Sequence, residues 1–227
     1  MYSVGPYTFT QTDADKTVFH ARHVWEFIEQ GRDPEVIAHL FPTLTGEMAH
    51  DLPAVWNAWR SAGEAMRAAG QLPARTQGTV SALHASGGGL PKLPIERAEI
   101  GWGGVAGDRQ RNRTHHGRPW QALCIWSDEV IDGFSAQGHP IAPGLAGENI
   151  TVRGLPWADV RPGVRLQLGE VLCEVSAYAV PCTHNARWFS DGDFMVMHHD
   201  RGPVSRVYAT VLQPGSVVAG TAAVLEP

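Results

Sequence analysis

Apolar residues recur along this chain with two different periods, and the change from one to the other divides it. Over residues 13–31, Val18, Ala21, Val24, Trp25 and Ile28 fall at helical spacing, with Thr12 or Asp13 placed as N-cap and Gly31 as stop. Asp33-Pro34 then reads as an N-cap and first helical residue, opening a short turn through Leu40. A third helix is predicted from Met48, Leu52, Val55, Trp56, Trp59, Ala62, Met66 and Ala69, closed by Gly70, with Pro53 near its start or at a kink. Helices thus fill residues 13–70. The composition changes around Leu72-Pro73, so residues 1–75 are expected to form a helical extension and residues 76–227 a separate β-rich domain.

Beyond that boundary the period shortens and glycine and proline punctuate it. Val80 to His84 and Ala122 to Trp126 read as short strands, and Ser127-Asp128-Glu129 as a capped helix start continued by Val130, Ile131 and Phe134 and stopped at Gly138. The clearest sheet signal is Val164, Leu166 and Leu168, then Val171, Cys173 and Val175, alternating with more polar neighbours. Gly169-Glu170 joins the two runs as a hairpin loop with glycine first, as a type II′ turn requires, so Cys173 faces the core. Pro162-Gly163 and Pro214-Gly215 supply turns, and Val204 to Leu212 and Val217 to Leu225 give the last strands. Many short strands with one helix predict a mainly β fold, a closed or nearly closed β-barrel preceded by the helical extension.

Size and charge narrow the function. A chain of 227 residues with 43% hydrophobic content can bury a core, and a formal charge of −5 without a long Lys or Arg run argues against binding to a nucleic acid backbone. Residues 1–16 have neither a basic n-region nor an apolar h-region, and no stretch is apolar for long enough to span a bilayer, so a cytoplasmic protein is expected. Three cysteines, Cys124, Cys173 and Cys182, are too few and too irregularly spaced for a disulfide framework.

Candidate chemistry gathers around Pro181-Cys182-Thr183-His184, where a strand pattern delivers a thiol into a polar loop. Such a thiol is a nucleophile, a soft metal ligand or an inert buried group, and the first two need the thiolate. No nucleophile motif surrounds it. Zinc held by Cys182 with some of His115, His116, His184, His198 and His199 lacks a spacing framework, and His20, His23, His39 and His50 read as packing or surface residues. Cys124 lies in an apolar run and reads as packing. Ser86-Gly87-Gly88-Gly89-Leu90-Pro91-Lys92 is either an anion cradle of backbone N–H groups or a plain turn, and it is not a P-loop. Gly101 to Gly107 lacks the spacing and helix of a dinucleotide fingerprint. Asp108 beside Arg109 has a surface ion pair as its ordinary explanation.

The order of motifs adds what no single one carries. Gly107-Asp108-Arg109, His116-Gly117-x-Pro119, Gly147-Glu148-Asn149-Ile150-Thr151-Val152, Pro162-Gly163 with Leu168-Gly169, and Pro181-Cys182 together resemble the MOSC domain, named after the C-terminal domain of molybdenum cofactor sulfurase. The resemblance covers roughly residues 79–227 and is strongest to small bacterial stand-alone members. It implies a β-barrel with a cleft for the molybdenum cofactor (molybdopterin), with Cys182 as molybdenum ligand and Arg109 and Lys92 on the phosphate or pterin. It also implies Asn149 as a hydrogen-bond partner, the His116-Gly117-Arg118 turn as pocket lining, and Asp108 orienting Arg109 or relaying protons. Arg118 and Trp120 replace the glycine and acidic residue usual in small relatives, and Gly220-Thr221 replaces a late Gly-Asp, so the pocket entrance differs.

The activity this implies is reduction of N-hydroxylated small molecules, with a separate electron-donor protein, since no flavin, haem or cluster motif is visible. Two alternatives stay open: a sulfur carrier or transferase using a Cys182 persulfide, and a non-catalytic cofactor carrier or interaction module. The helical extension would pack on the barrel, cap the cleft or mediate a homodimer.

Overall fold

A computed structural model describes residues 2–4, 7–9, 74–111, 116–117 and 121–226, so the expected helices over 13–70 lie outside the described residues. The structure falls into two units, Met1–Pro73 and Ala74–Pro227. In the first, β1 (Tyr2–Val4) and β2 (Tyr7–Phe9) form an antiparallel hairpin with Tyr2 opposite Phe9.

The second unit is a closed barrel. Its strands are β3 (Thr76–Ala85), β7 (Leu123–Ser127), β8 (Ile150–Arg153), β9 (Arg165–Leu168), β10 (Val171–Tyr178), β11 (Val207–Gln213) and β13 (Ala222–Glu226). Hydrogen bonding runs β13-β9-β10-β11-β7-β8-β3, and β13 pairs again with β3, so every strand of this ring has two neighbours and no edge is left open. A short β4 (Leu93–Pro94) adds to β3. Beside the barrel, β5 (Arg97–Gly101), β6 (Gly104–Val105) and β12 (Gly215–Val218) make a three-stranded sheet.

All these pairings are antiparallel except β7 with β8, where Ile125 faces Ile150. A parallel pair needs a crossover, and helix α1 (Asp128–Ala136) supplies it. Ser127 caps α1 by accepting the Val130 N–H, and Asp128 and Glu129 place negative charge in the first turn. Arg153 of β8 pairs with Asp128 and Asp132, both at 2.8 Å, fastening the helix to the strand it leads to. Ile131 and Phe134 turn inward, and β7 is buried along its whole length. That continuous burial is why its sequence shows an apolar run instead of an alternation.

In β9 and β10 the alternation is real: Leu166, Leu168, Val171, Cys173 and Val175 are all buried. Gly169 has φ +60 at the first position of the loop, with Leu168 opposite Val171, as the hairpin reading requires. The C-terminal run differs from expectation. Val217 to Leu225 is two strands, because Gly220 turns the chain at φ +88 and sends β12 to β5 but β13 to β3 and β9. Likewise β11 begins at Val207, after Val204, because the indoles of Trp126 and Trp157 donate to the carbonyls of Val204 and Ser205, each at 2.9 Å.

Gly104 opens β6 at φ +104, where a Cβ would run into the carbonyl oxygen of Ala122. Gly104→Ala is expected to cost about 1–3 kcal/mol from backbone strain alone, and more with the collision. Gly103→Ala, with open space at its Cβ, should stay within about 0.5 kcal/mol of wild type. Urea midpoints of the two variants check the pair.

Candidate functional site

After β10 the chain passes through exposed Val180 and buried Pro181 into a 3-10 turn, Thr183–Trp188, with Cys182 at its N-cap. The Cys182 N–H donates to Asn185 Oδ1 at 3.3 Å, the thiol lies 3.8 Å from the same oxygen, and the Asn185 N–H returns to the Cys182 carbonyl at 2.9 Å. These bonds fix the sulfur on the protein while leaving it half-buried. His184 is exposed, so the partner of the thiol is Asn185 and not its neighbouring imidazole.

Asn185 is itself buried and held from behind. Its Nδ2 donates to the Ala146 carbonyl at 3.3 Å, and Arg206 Nη2 donates to its Oδ1 at 3.4 Å. Arg206 also donates through Nη1 to Ala146 and is only 6% exposed, while its Nε has no acceptor among the described residues. A buried guanidinium therefore stands behind the Asn185 amide oxygen that the thiol faces. Arg206 precedes an apolar strand in the sequence, a place usually solvated, and nothing local marks it as interior.

A second polar group is built on Asp108. Lys92 Nζ lies 2.5 Å from Asp108 Oδ2, and the two side chains are 10% and 2% exposed. Asp108 also accepts the Ser86 N–H at 2.8 Å, Asn149 Nδ2 at 3.0 Å and Gln110 Nε2 at 3.5 Å. Asp108 is expected to orient Arg109 or relay protons; the structure gives it Lys92 as its cationic partner. Arg109 is exposed, tied through its backbone N–H to the Ser86 carbonyl at 2.8 Å. The glycine loop before Lys92 behaves as a turn, with the Gly88 N–H on Ser86 Oγ at 3.3 Å and the Lys92 N–H on the Gly144 carbonyl at 3.0 Å.

Asn149 sits where β3, β7 and β8 meet. Its Oδ1 accepts the Cys124 N–H at 3.2 Å, and Nδ2 donates to the His84 carbonyl at 3.3 Å as well as to Asp108. Both amide hydrogens are taken within the protein, so this residue positions Asp108. His116 joins from the other side, its Nδ1 3.3 Å from the Tyr208 hydroxyl, and Tyr208 lies opposite Cys124 in the β11–β7 pairing. Burial pushes the Tyr208 phenol up to about 12, with the charges of Cys124 and Cys182 adding to it and Arg206 opposing. Gly117, at φ +75, lies against the Gln110 side chain, whereas His115 and Arg118 lie outside the described residues.

The remaining acidic group is Glu148, fully buried. Its Oε1 accepts the Gly144 N–H at 2.5 Å, and Oε2 has no partner among the described residues. Burial raises its pKa, opposed by its backbone hydrogen bonds and by Arg206 and Lys92. The other thiols differ from Cys182. Burial pushes Cys173 up to about 12 and raises Cys124 as well, with Arg206 and Lys92 working against the latter shift. Cys124 is buried, with its N–H on Asn149 Oδ1. Among the described residues no zinc set forms on Cys182; His198 and His199 gather with Asp200 instead. A concavity of about 400 Å³ lies by the three-stranded sheet and is lined by Arg97, Glu99, Glu170 and Ser216, which already pair with one another.

The barrel thus carries a half-buried thiol, a buried cation behind the asparagine that holds it, and a paired Lys–Asp group. Residues 112–224 match the MOSC domain model, and the chain belongs to that family. Lys92, Asp108 and Arg109 precede the matched segment. The uncharacterized protein YflK of Bacillus subtilis (strain 168) is 30% identical over 134 residues, 58% of this chain; the chain spans 60% of that relative. Among solved structures, YuaD from Bacillus subtilis superposes with TM-score 0.54 at 15% identity over 68% of this chain and 98% of its own. YiiM from Escherichia coli gives 0.51 at 24% identity over 67% of this chain and 70% of its own. YiiM from Geobacillus stearothermophilus gives 0.52 at 23%, over 67% and 76%. These structures share the fold. Among the described residues no helix is long and apolar enough to cross a membrane.

Two measurements probe the site. In brief alkylation of the native protein, mass spectrometry should find Cys182 modified, with Cys124 and Cys173 reacting only on unfolding. Glu148, held neutral by burial, contributes stability below the ordinary glutamate range that is lost as pH rises through its elevated folded pKa. Glu148→Gln should therefore lose less stability than wild type as pH rises out of the ordinary glutamate range, read from urea midpoints at each pH.

Proposed function

We propose that the barrel binds the molybdenum cofactor, with Cys182 as the metal ligand, and reduces N-hydroxylated small molecules. The observation that carries this reading is the half-buried Cys182 sulfur, fixed on Asn185 with the Arg206 guanidinium buried behind it. The donor set fits the group. A thiolate is a suitable soft ligand, the exposed Arg109 guanidinium suits a pterin phosphate, and the Arg206 Nε–H is a buried donor still lacking an acceptor among the described residues. When bound, the cofactor would supply the two-electron chemistry that takes oxygen from nitrogen; the product side of that reaction is an amine and water, from two electrons and two protons.

The chain's own residues divide the rest of the work. Cys182 ligates, and Arg206 acting through Asn185 holds the turn that carries its sulfur. Asp108 holds Lys92 in place at the cleft, and Asn149 holds Asp108. Tyr208 and His116 share a hydrogen bond in which a proton can rest on the phenol oxygen or on Nδ1, next to the thiol site. His116 and Gly117 line the approach. A separate electron-donor protein supplies the electrons, in a cytoplasmic setting, and the protein forms a homodimer.

Protein from a cofactor-competent host, assayed for molybdenum and for reduction of an N-hydroxy substrate with a chemical reductant, tests the reading. Cys182→Ser should lose both metal and turnover, while Cys124→Ser and Cys173→Ser keep them. Retained molybdenum and full activity in Cys182→Ser would refute the assignment. A Cys182 carrying one additional sulfur, without metal, would point to sulfur transfer, and neither result to an interaction module.

A further inference from the structure

The loop from Ser86 to Lys92, which joins β3 to β4, is fastened at both ends to one carboxylate. Ser86 gives its N–H to Asp108 Oδ1 at 2.8 Å, and Lys92 Nζ lies 2.5 Å from Oδ2. Between these ends Gly87, Gly88 and Gly89 form a tip that stands clear of the barrel. A Cβ on Gly87 or Gly89 would meet no atom within 4 Å, and Gly88 and Gly89 hold φ +131 and +105. Within the tip, Ser86 Oγ donates to the Gly89 carbonyl at 2.9 Å and accepts the Gly88 N–H at 3.3 Å. Three glycines between two fixed ends give the backbone few steric barriers and few contacts to lose, so this is where the loop bends most easily.

Leu90 is where the tip rests on the rest of the fold, and both of its supports belong to the mounting of the thiol. A Cβ on Gly147 would stand 2.6 Å from Leu90 Cδ2, so the leucine side chain is seated on that glycine. Gly147 follows Ala146, whose carbonyl accepts Asn185 Nδ2 and Arg206 Nη1. The Leu90 carbonyl accepts Arg187 Nη2 at 3.1 Å, and Arg187 lies on the 3-10 turn that Cys182 caps. The Arg187 guanidinium also lies 4.8 Å from the centroid of the Trp188 ring, which steadies its plane. Arg187 is exposed, and a solvent-exposed hydrogen bond to a neutral carbonyl is weak enough to open and reclose.

We propose that residues 87–90 are a flap beside Cys182, hinged on the three glycines and latched by Arg187 onto the turn that carries the thiol. With the latch made, Leu90 fills the corner between the Ala146-Gly147 segment and the Cys182 turn; with it broken, the approach to the sulfur widens. Arg187 is thus a positioning residue that sets how large a ligand reaches the site, and this holds whichever ligand the thiol takes.

The test uses the full chain and two readouts. In a Cys182→Ser background, where Cys124 and Cys173 stay buried, Gly87→Cys places a nitroxide label at a position with open space for it. Arg187→Ala should raise the mobile fraction of its spectrum about two- to tenfold, the range expected from losing one exposed hydrogen bond, with the thermal midpoint unchanged. In the chain with native Cys182, Arg187→Ala should speed alkylation of that thiol by a bulky dye maleimide by a similar factor, and by iodoacetamide much less. Leu90→Ala, which removes the seat on Gly147, should act in the same direction, and Arg201→Ala, an exposed arginine on a later turn, should change neither readout. An unchanged spectrum in Arg187→Ala, or an unchanged ratio of the two alkylation rates, would overturn the proposal.

Discussion

A carboxylate withdrawn from water must find both a counter-charge and hydrogen-bond donors, and Asp108 finds them on segments far apart in the chain. Lys92 brings the charge from the loop after β3, Ser86 a backbone N–H from that loop's start, and Asn149 an amide hydrogen from the entrance to β8. Because Asn149 also holds Cys124 and His84, the carboxylate is tied to the place where the parallel β7–β8 pair begins. One neutralisation problem therefore sets this polar group, and its solution fixes Lys92 on Asp108.

The same logic, with the sign reversed, governs the thiol. Arg206 is almost fully buried, and a buried guanidinium needs acceptors. It takes the Ala146 carbonyl and Asn185 Oδ1, and Asn185 in turn receives the Cys182 N–H. One buried cation thus rigidifies the Cys182 turn. Glu148, fully buried nearby, has one oxygen unpartnered among the described residues, and burial raises its pKa.

Barrel closure makes this arrangement possible. β13 must reach both β3 and β9, and it can do so only because Gly220 breaks the C-terminal apolar run and releases β12 to the neighbouring sheet. The register irregularities of β10 against β11, between Leu172 and Cys173 and between Val175 and Ala177, bend the strand that ends at the Cys182 turn. Bulges of this kind add twist and re-aim the chain beyond them.

Local chemistry was legible in the chain itself. The alternation through Leu166, Leu168, Val171, Cys173 and Val175, the Gly169-Glu170 turn and the Ser127 cap depend on side-chain period and on backbone preferences within a few residues, and these the sequence determined. The exposure of Cys182 against the burial of Cys173 was readable for the same reason, one lying in a loop and the other on an inward strand position. Asp108 choosing Lys92 over the adjacent Arg109, Arg206 becoming interior, Asn149 giving both hydrogens to the protein, and one apolar run becoming two strands were decided only by the tertiary structure. Each depends on which distant segment arrives alongside, and the energy of a buried charge is set by those neighbours and not by its own position in the chain.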